Sequence, residues 1–267
     1  MPISCPITAR HIEQEEFARH DFQVMRLAFD SQNALGRLCD EVIYQNDLAD
    51  RIEAAGLGPV RREVPLIITH RDFAKTYSMD LVVGDAAIYE LKALANLVAE
   101  HDAQLLNYLL LWGAHHGKLL NFRPTQVQSR FINTTLTPQS RKLFEVESDR
   151  WHPSDGASQL LHSTFLGLLE DWGLFLELPL YLEALTHFLG GQEQVVRMVP
   201  LKRGSVSLGN QRLYMLTPDI AFRLTAMPDT AEHYERQLCS LLRHSQLRAC
   251  HWVNMARHKV QFVTLQT

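Results

Sequence analysis

The sequence predicts a mixed α/β fold built from two consecutive units of about 130 residues each. Two observations carry this prediction. The hydrophobic period alternates between the 3.6-residue spacing of helices and the two-residue spacing of strands, and the whole order of elements begins again after Thr137. We expect the units to span residues 1–137 and 138–267, each long enough to bury a hydrophobic core of its own.

The first unit is predicted to contain helices, three strands, a helix and further strands, in that order. Residues 10–56 lack proline and carry apolar residues at three- and four-residue spacing, which favours helices ending at Gly56. The short β-branched and aromatic runs REVPLIITH, KTYSMDLVV and AAIYELKAL are typical of strands. A helix is predicted from Asn96 to Trp112, followed by the strand candidates HHGKLLNF and VQSRFINTTL.

The second unit is predicted to repeat this order. After a polar stretch that reaches residue 158, helical spacing extends from Gln159 to Leu189. The strand candidates VVRMVPL and QRLYMLTPDIAFRLTAM follow. A helix is predicted from Thr230 to Arg243, and the strand-like run CHWVNMARHKVQFVTL comes after it.

Collinear matches between the two halves favour a duplication. REVPL at 62–66 matches RMVPL at 197–201, and AIYELKAL at 87–94 matches IAFRLTAM at 220–227 with an offset of 133. EHDAQLLNYLL at 100–110 parallels EHYERQLCSLL at 232–242. Gly36 and Tyr44 stand eight residues apart, as do Gly173 and Tyr181. Each match is weak alone, but together they keep one order and a nearly constant offset.

Composition places the chain among ordinary globular proteins. Of its 267 residues, 46% are hydrophobic and 21% are charged, which excludes the disordered, collagen-like and disulfide-scaffold classes. The four cysteines are scattered without zinc-ligand spacing, and neither a signal-peptide pattern nor a run of 18 apolar residues is present. These features predict a cytoplasmic protein with reduced thiols and no membrane partner.

The net charge of −4 combines two unlike regions. Residues 236–267 carry five Lys or Arg and no acid, whereas the first 235 residues carry 21 basic against 30 acidic residues. A basic segment of this kind can contact phosphates. Its candidate phosphate-binding residues are Arg243, Arg248, Arg257 and Lys259. A solvated basic surface is the alternative interpretation.

Asp80, Glu90 and Lys92 form the candidate catalytic centre of the first unit. Glu90 and Lys92 alternate with Leu91, so both point to one face of a strand. If residues 84–86 form a three-residue hairpin loop, Asp80 lies opposite Glu90. A two-residue loop would shift the register by one and turn Asp80 to the other face.

Two carboxylates beside one ammonium suit a hard divalent cation, Mg²⁺ or Mn²⁺, which takes oxygen ligands and keeps waters that can be activated. Lys92 would position the attacking water or help to deprotonate it, and would offset charge in the transition state. An ordinary strand-surface ion pair is the alternative interpretation of Glu90 and Lys92. The flanking apolar strands and the acid at the matching position favour the metal site.

The helix after this strand adds Gln104 and Tyr108, which lie four residues apart and therefore share one helical face. A glutamine can bond the attacking water or a phosphate, and a tyrosine can do the same or stack on a base. The spacing by itself is also typical of any amphipathic helix.

The order D…E-x-K…Q-x-x-x-Y, in DLVVGDAAIYELK followed by HDAQLLNYLLL, resembles the PD-(D/E)XK nuclease superfamily. The segments LGRLCDEVIYQNDLADRI, REVPL and HHGKLLNF resemble more closely the uncharacterised bacterial proteins of the GxxExxY family, so the resemblance covers residues 20–137. It implies a restriction-endonuclease-like core, with a mixed sheet between helices. The activity implied is Mg²⁺-dependent hydrolysis of phosphodiester bonds in nucleic acid, DNA in the first place.

The resemblance also implies roles for individual residues. Asp80 and Glu90 match the metal-binding acids, and Lys92 matches the catalytic lysine. Gln104 and Tyr108 match the Q-x-x-x-Y pair of recombination-type exonucleases.

The first helical region adds one more acid to the implied site. Glu41 and Tyr44 match the E-x-x-Y of the family, through which a glutamate can reach the metal. Gly36 precedes Glu41 by five residues instead of three, so the glycine match is loose and a solvated helix acid is the alternative for Glu41. Glu63, at the start of the first strand, is interpreted as a strand-edge charge.

The second unit keeps the apolar skeleton and loses the acids. At the offset of 133, Arg223 stands in the place of Glu90, and Thr225 stands in the place of Lys92. We therefore expect a degenerate nuclease-like copy without a metal site, which serves as a platform for substrate.

Two other classes of function remain compatible with the sequence. One is a non-catalytic nucleic-acid-binding module that retains the fold, and the other is a protein-interaction component whose second unit docks a partner. A pure binder gains nothing from two carboxylates close to phosphate, so the acids favour a nuclease. The sequence does not distinguish DNA from RNA or endonuclease from exonuclease, and a homo-oligomer is compatible with it.

Overall fold

Two units make up the chain, one ending at Pro138 and the next starting at Gln139. The computed structural model describes residues 2–227 and 231–266. Each unit contains a six-stranded mixed sheet flanked by helices, as the predicted α/β class requires. Over these described residues, no helix has both the length and the apolar character needed to cross a membrane.

The first unit is arranged around α3, which connects two parallel strands. Its sheet runs in the order β1-β2-β3-β4-β5-β6, with β4 and β5 parallel and the other neighbours antiparallel. A parallel pair needs a crossover connection, and α3 supplies it. In chain order the elements are β1 (Ile3–Ser4), α1 (Gln14–Leu35), α2 (Glu41–Ala54), β2 (Val60–His70), β3 (Phe73–Val83), β4 (Ala87–Lys92), α3 (Ala99–Trp112), β5 (His116–Asn121) and β6 (Gln128–Asn133).

The central strand β4 is covered on both faces. Leu81, Tyr89 and Leu91 belong to one buried cluster with Tyr44 and Leu48 of α2. The alternation of side chains along a strand therefore directs Glu90 and Lys92 toward the face of the sheet opposite to this cluster.

Helix α3 packs on that other face. A Cβ added at Gly117 would lie 3.0 Å from Leu105 of α3, so the absence of a side chain lets the helix approach β5 closely. Gly117 pairs with Ile88, and Glu90 and Lys92 follow Ile88 at two-residue steps. The candidate acid and lysine thus share the α3 face.

The predicted helices are present with shorter bounds. The helical region 10–56 is two helices, separated at Gly36, whose φ of +74° is accessible mainly to glycine. The helix predicted from Asn96 begins at Ala99 instead, because Val98 is extended and its N–H donates to His101 Nδ1 at 3.1 Å. Sequence periodicity does not reveal such a side-chain cap.

The hairpin between β3 and β4 has the three-residue loop, one of the two alternatives that the sequence leaves open. Val83 pairs with Ala87, and Leu81 pairs with Tyr89. Within the loop, Asp85 has a φ of +52° and Ala86 donates its N–H to the Val83 carbonyl at 3.1 Å. In this register the next residue of β3, Asp80, lies opposite the next residue of β4, Glu90.

The last five strands of the second unit repeat the connectivity of the last five strands of the first, whereas the first strand of each unit joins the opposite edge of its sheet. Its sheet runs in the order β7-β12-β11-β10-β9-β8, and β10 and β11 are parallel with α7 between them, as β4 and β5 are with α3. In chain order the elements are a 3₁₀ turn (Ser140–Lys142), β7 (Glu145–Arg150), α4 (Gly156–Trp172), α5 (Leu178–Phe188), α6 (Gln192–Val195), β8 (Val196–Arg203), β9 (Val206–Thr217), β10 (Ile220–Thr225), α7 (Ala231–Ser245), β11 (Ala249–Ala256) and β12 (Lys259–Gln266).

One strand of this unit is absent from the sequence prediction. The polar stretch before residue 159 contains β7, which pairs in parallel with β12 and is exposed enough to lack an apolar alternation. The helical region predicted to Leu189 is present as two helices, separated at Gly173, where φ is +75°. Thr230, where the last helix is predicted to begin, lies outside the described residues.

A repeated hydrogen bond supports the duplication at the level of side chains. The Tyr44 hydroxyl donates to the Gly36 carbonyl at 2.7 Å, and the Tyr181 hydroxyl donates to the Gly173 carbonyl at 2.6 Å. In both units a tyrosine of the second helix thereby fixes the glycine that ends the first helix.

A second repeated contact lies just beyond the fourth strand of each unit, β4 in the first and β10 in the second. Asn121 accepts the Leu94 N–H at 3.0 Å and donates to the Leu94 carbonyl at 2.8 Å. Asn254 makes the same two bonds with Met227, at 3.0 and 3.1 Å. Both pairs keep the offset of 133 residues found in the sequence.

The two equivalent glycines should differ in their tolerance of a side chain. A Cβ at Gly36 meets nothing within 4 Å, so Gly36→Ala should cost about 1–3 kcal/mol through its backbone conformation alone. A Cβ at Gly173 would lie 2.8 Å from the Arg141 carbonyl oxygen, so Gly173→Ala should destabilise its unit more. Amide hydrogen exchange of the full-length variants, resolved for each unit, measures both losses. Equal losses would contradict the role of the Arg141 contact.

Candidate active site

A buried carboxylate and an ammonium lie together at the end of β4. Glu90 is 1% exposed, and Lys92 Nζ donates to its Oε1 at 2.8 Å. Lys92 Nζ also lies 3.9 Å from Oε1 of Glu41, the first residue of α2. The sequence-predicted acid and lysine are therefore in direct contact, and the helix acid is within reach of both.

Asp80 is held beside this pair by the main chain of β4. The ladder between β3 and β4 runs as far as the pair Leu81–Tyr89. One step further, Asp80 Oδ2 accepts the Leu91 N–H at 2.7 Å, so the side chain takes the place of a main-chain acceptor. This bond holds the Asp80 carboxylate at Leu91, the residue that stands between Glu90 and Lys92 in the sequence.

Glu63 belongs to the same cluster, although the sequence suggested only a strand-edge charge. It has a φ of +50° between two regular pairs of the β2–β3 ladder. Its Oε2 accepts the Ser78 hydroxyl at 2.6 Å, and its Oε1 accepts Gln45 Nε2 at 2.7 Å. The irregular backbone is thus held by side-chain bonds.

Gln45 is the residue that the sequence analysis missed. It is buried on α2, and its Nε2 donates both to Glu63 and, at 2.8 Å, to the main-chain carbonyl of Asp80. A single amide therefore positions two acids of the cluster. The available signal was its spacing, because Gln45 follows Glu41 by four residues on one helical face.

Burial raises the pKa of both central carboxylic acids. The pKa of Asp80 is raised to about 6, because burial outweighs the Leu91 N–H bond and the charge of Lys92. The pKa of Glu90 is raised to about 8 by burial first and by the charge of Asp80 second. Without an added cation, the site resists carrying both negative charges at neutral pH.

Lys92 responds in the opposite sense to its burial. Burial alone lowers the pKa of an ammonium, but the charges of Glu90, Asp80 and Glu41, together with the Glu90 hydrogen bond, raise the pKa of Lys92 above its ordinary value. The lysine is therefore charged at neutral pH.

Gln104 and Tyr108 form a pair of their own on α3. Gln104 Nε2 donates to the Tyr108 hydroxyl oxygen at 2.8 Å. The ring of Tyr108 meets the ring of Tyr77 edge to face, with centroids 5.8 Å apart. Tyr77 precedes Asp80 by three residues on β3, so this aromatic contact ties the pair to the strand that carries the acid.

The cluster presents oxygen donors, which suits Mg²⁺ or Mn²⁺. In residues 2–227 and 231–266, no three His, Cys, Asp or Glu side chains stand as a ready group of metal ligands. Lys92 takes one oxygen of Glu90, whereas Glu90 Oε2 is buried with no hydrogen-bond partner in the described structure. This oxygen is therefore suited to ligating a divalent cation.

Two of the basic residues predicted to contact phosphate are engaged within the second unit. Arg248 Nε pairs with Asp219 Oδ2 at 2.8 Å, and Lys259 Nζ pairs with Glu147 Oε1 at 2.6 Å. These carboxylates offset much of the positive potential at Arg248 and Lys259.

The other two basic candidates have different surroundings. Arg243 donates from Nη2 to the Ser240 hydroxyl at 2.9 Å on α7. Arg257 lies in the turn between β11 and β12 with a φ of +56°. A role of all four in phosphate binding stays a prediction.

Comparison with known proteins finds a similarity that covers most of the first unit. The sequence model of the PD-(D/E)XK nuclease superfamily matches residues 18–133. The crystal structure of SSO0001 is similar over 45% of this chain and 63% of that chain, with 20% identity and a TM-score of 0.28. No curated protein matches the chain. The closer resemblance to the GxxExxY family stays a prediction. The segment that carries Asp80, Glu90 and Lys92 therefore matches the PD-(D/E)XK nuclease superfamily, whose restriction-endonuclease-like fold agrees with the mixed sheet and helices of the first unit.

Proposed function

We propose that the first unit is a metal-dependent nuclease that hydrolyses phosphodiester bonds of nucleic acid, with DNA as the expected substrate. The observation that carries the proposal is the buried contact of Glu90 with Lys92 beside Asp80, inside the segment that matches a nuclease superfamily. Buried acids with raised pKa values next to a fixed ammonium are typical of catalytic sites.

Asp80 and Glu90 would hold Mg²⁺ or Mn²⁺, and Glu41 at the start of α2 would add a third carboxylate to the site. When bound, such a metal polarises a phosphoryl oxygen and lowers the pKa of a bound water. The chain's own part is to fix these acids. The Leu91 N–H holds the Asp80 carboxylate, and Gln45 holds the Asp80 main chain.

Lys92 acts as a positioned charge in this proposal. Because its neighbours raise its pKa, it does not take a proton from water at neutral pH. Of the three roles expected from the sequence, positioning the water and offsetting transition-state charge are therefore favoured over deprotonation. The contact with Glu90 sets the ammonium at one place before substrate arrives.

Gln104 and Tyr108 would orient the scissile phosphate or the water. The amide of Gln104 fixes the phenol oxygen of Tyr108, and a phenolic O–H is a suitable donor to phosphate. Helix α3 keeps both residues on the face of the sheet that carries Glu90.

A non-catalytic nucleic-acid-binding module is the second candidate. One observation favours it, since three ready metal ligands are not assembled anywhere in the described residues. Salt-sensitive binding without cleavage under Mg²⁺ or Mn²⁺ would identify this function.

Loss of the lysine should abolish cleavage without unfolding the protein. In Lys92→Ala, Mg²⁺-dependent cleavage of end-labelled single- and double-stranded DNA should fall about a hundredfold or more, because the fixed positive charge is gone. Lys142→Ala, which removes an exposed lysine of the second unit, serves as the matched control and should cleave normally. Unchanged cleavage in Lys92→Ala would contradict the assignment. Tm, measured in parallel, shows whether the variant is folded.

Binding of Mg²⁺ should depend on both acids and on pH. Since metal binds the deprotonated carboxylates, and the pKa values of Asp80 and Glu90 are raised to about 6 and about 8, affinity should increase as pH rises through this range. Titration calorimetry on the full chain should show weaker binding in Asp80→Asn and Glu90→Gln. Equal affinity in both variants and the wild type would place the cation elsewhere.

The metal-free protein should become less stable as pH rises. The folded chain keeps the Glu90 proton above the ordinary pKa of 4.5, so the folded state binds more protons than the unfolded state between 4.5 and about 8. Stability therefore falls across this window, and the loss is complete above it. Glu90→Gln should show a flatter profile of Tm against pH in a chelator. Parallel profiles would show that Glu90 titrates normally.

A further inference from the structure

The second unit contains a cavity of about 250 Å³ between β9, β10 and α7. Its lining combines aliphatic side chains with a few polar ones and includes no acidic residue among those described.

The pairing register identifies the part of the first unit to which the cavity corresponds. Tyr214 of β9 pairs with Phe222 of β10, as Leu81 of β3 pairs with Tyr89 of β4. Both pairs are related by the offset of 133 residues that the repeated asparagine contacts also keep.

One residue further from the turn on each strand lie the counterparts of the central acids. Leu213 corresponds to Asp80, and Arg223 corresponds to Glu90. Leu213 and Arg223 both line the cavity. The place of two carboxylates is thus taken by an apolar side chain and a guanidinium.

The helix shows the same correspondence. Gln237 and Leu241 of α7 take the places of Gln104 and Tyr108 of α3, and both line the cavity. The cavity of the second unit therefore lies at the position that corresponds to the candidate active site, with the charge reversed.

The interior of the cavity is apolar. Leu238, Leu242, Leu247 and Cys250 are buried in its wall. Burial raises the pKa of the Cys250 thiol to about 12, as expected where water is excluded. Such a wall suits the flat face of an aromatic ring.

The polar groups lie at the opening. Arg223 is exposed, and its Nε donates to the Tyr234 hydroxyl at 2.8 Å, which fixes the plane of the guanidinium. Gln237 is also exposed and lines the cavity. A planar guanidinium is suited to phosphate oxygens, and an amide is suited to the edge of a base.

We propose that this cavity binds one nucleotide of a nucleic-acid strand, with its phosphate on Arg223, its base against the apolar wall and the base edge toward Gln237. The inference deepens the proposed function, on which its choice of ligand rests. A volume of about 250 Å³ is just below the range usual for small-ligand sites, so the interior takes the base of a single unpaired nucleotide and excludes a duplex.

The test is titration calorimetry with the four deoxynucleoside 5′-monophosphates on the full chain in a chelator, so that no metal contributes. At least one nucleotide should bind saturably, at one site and more tightly than either its nucleoside or inorganic phosphate. Arg223→Gln should weaken this binding about tenfold or more, since a charged hydrogen-bond donor is lost.

Arg212→Gln is the matched control. Arg212 is an exposed arginine on β9 that borders a different hollow, so its variant should bind within about twofold of the wild type. Lack of saturable binding, equal affinity in Arg223→Gln and the wild type, or equal affinity for inorganic phosphate would each overturn the proposal.

Cleavage assays on the same variants separate this inference from the proposed function. If the wild type cleaves nucleic acid while Arg223→Gln binds nucleotides normally, the cavity proposal fails alone. If the wild type does not cleave but binding depends on Arg223, the nuclease assignment fails and the cavity proposal stands.

Discussion

Burial of the Glu90 carboxylate against the Lys92 ammonium is the interaction on which the candidate site depends. A charge inside a protein is costly unless it is paired and hydrogen-bonded, and one of the two Glu90 oxygens has no bond at all in the described structure. The arrangement is tolerated because β4 lies in the middle of the sheet, where α2 and α3 cover the two faces. Glu41, at the start of α2, lies near the same lysine. The cost is concentrated where a cation would relieve it.

The sequence predicted those parts of the fold that local chemistry determines. A turn is predicted at Gly84, between two strand-like runs, and the three-residue loop found there sets the register that brings Asp80 toward Glu90. The strand β7 was missed because an exposed edge strand needs no apolar alternation. The helical region predicted from Gln159 to Leu189 is divided into two helices at Gly173, a boundary that periodicity alone does not reveal.

The part of the site that the sequence could not predict is made by long-range side-chain bonds. Gln45 joins Glu63 and Asp80, which are 18 and 35 residues away from it in the chain. The positive φ of Glu63 has no signal in its residue type, since a glutamate seldom takes that conformation. Recognising either feature requires knowing that α2 lies over the β2–β3 ladder, and this is a property of the folded unit.

Comparison of the two units distinguishes the contacts that stabilise the fold from the residues of the candidate active site. The tyrosine–glycine and asparagine contacts occur in both, so they are needed wherever this chain topology forms. The acids occur in one unit, where their mutual repulsion reduces stability unless a cation is bound. In the second unit Leu213 and an exposed Arg223 stand at the corresponding positions, so that repulsion is absent there. A unit freed from this constraint can carry a charge of the opposite sign at the same place in the fold. In the two proposals, affinity for a cation and affinity for a phosphate are therefore properties of different units.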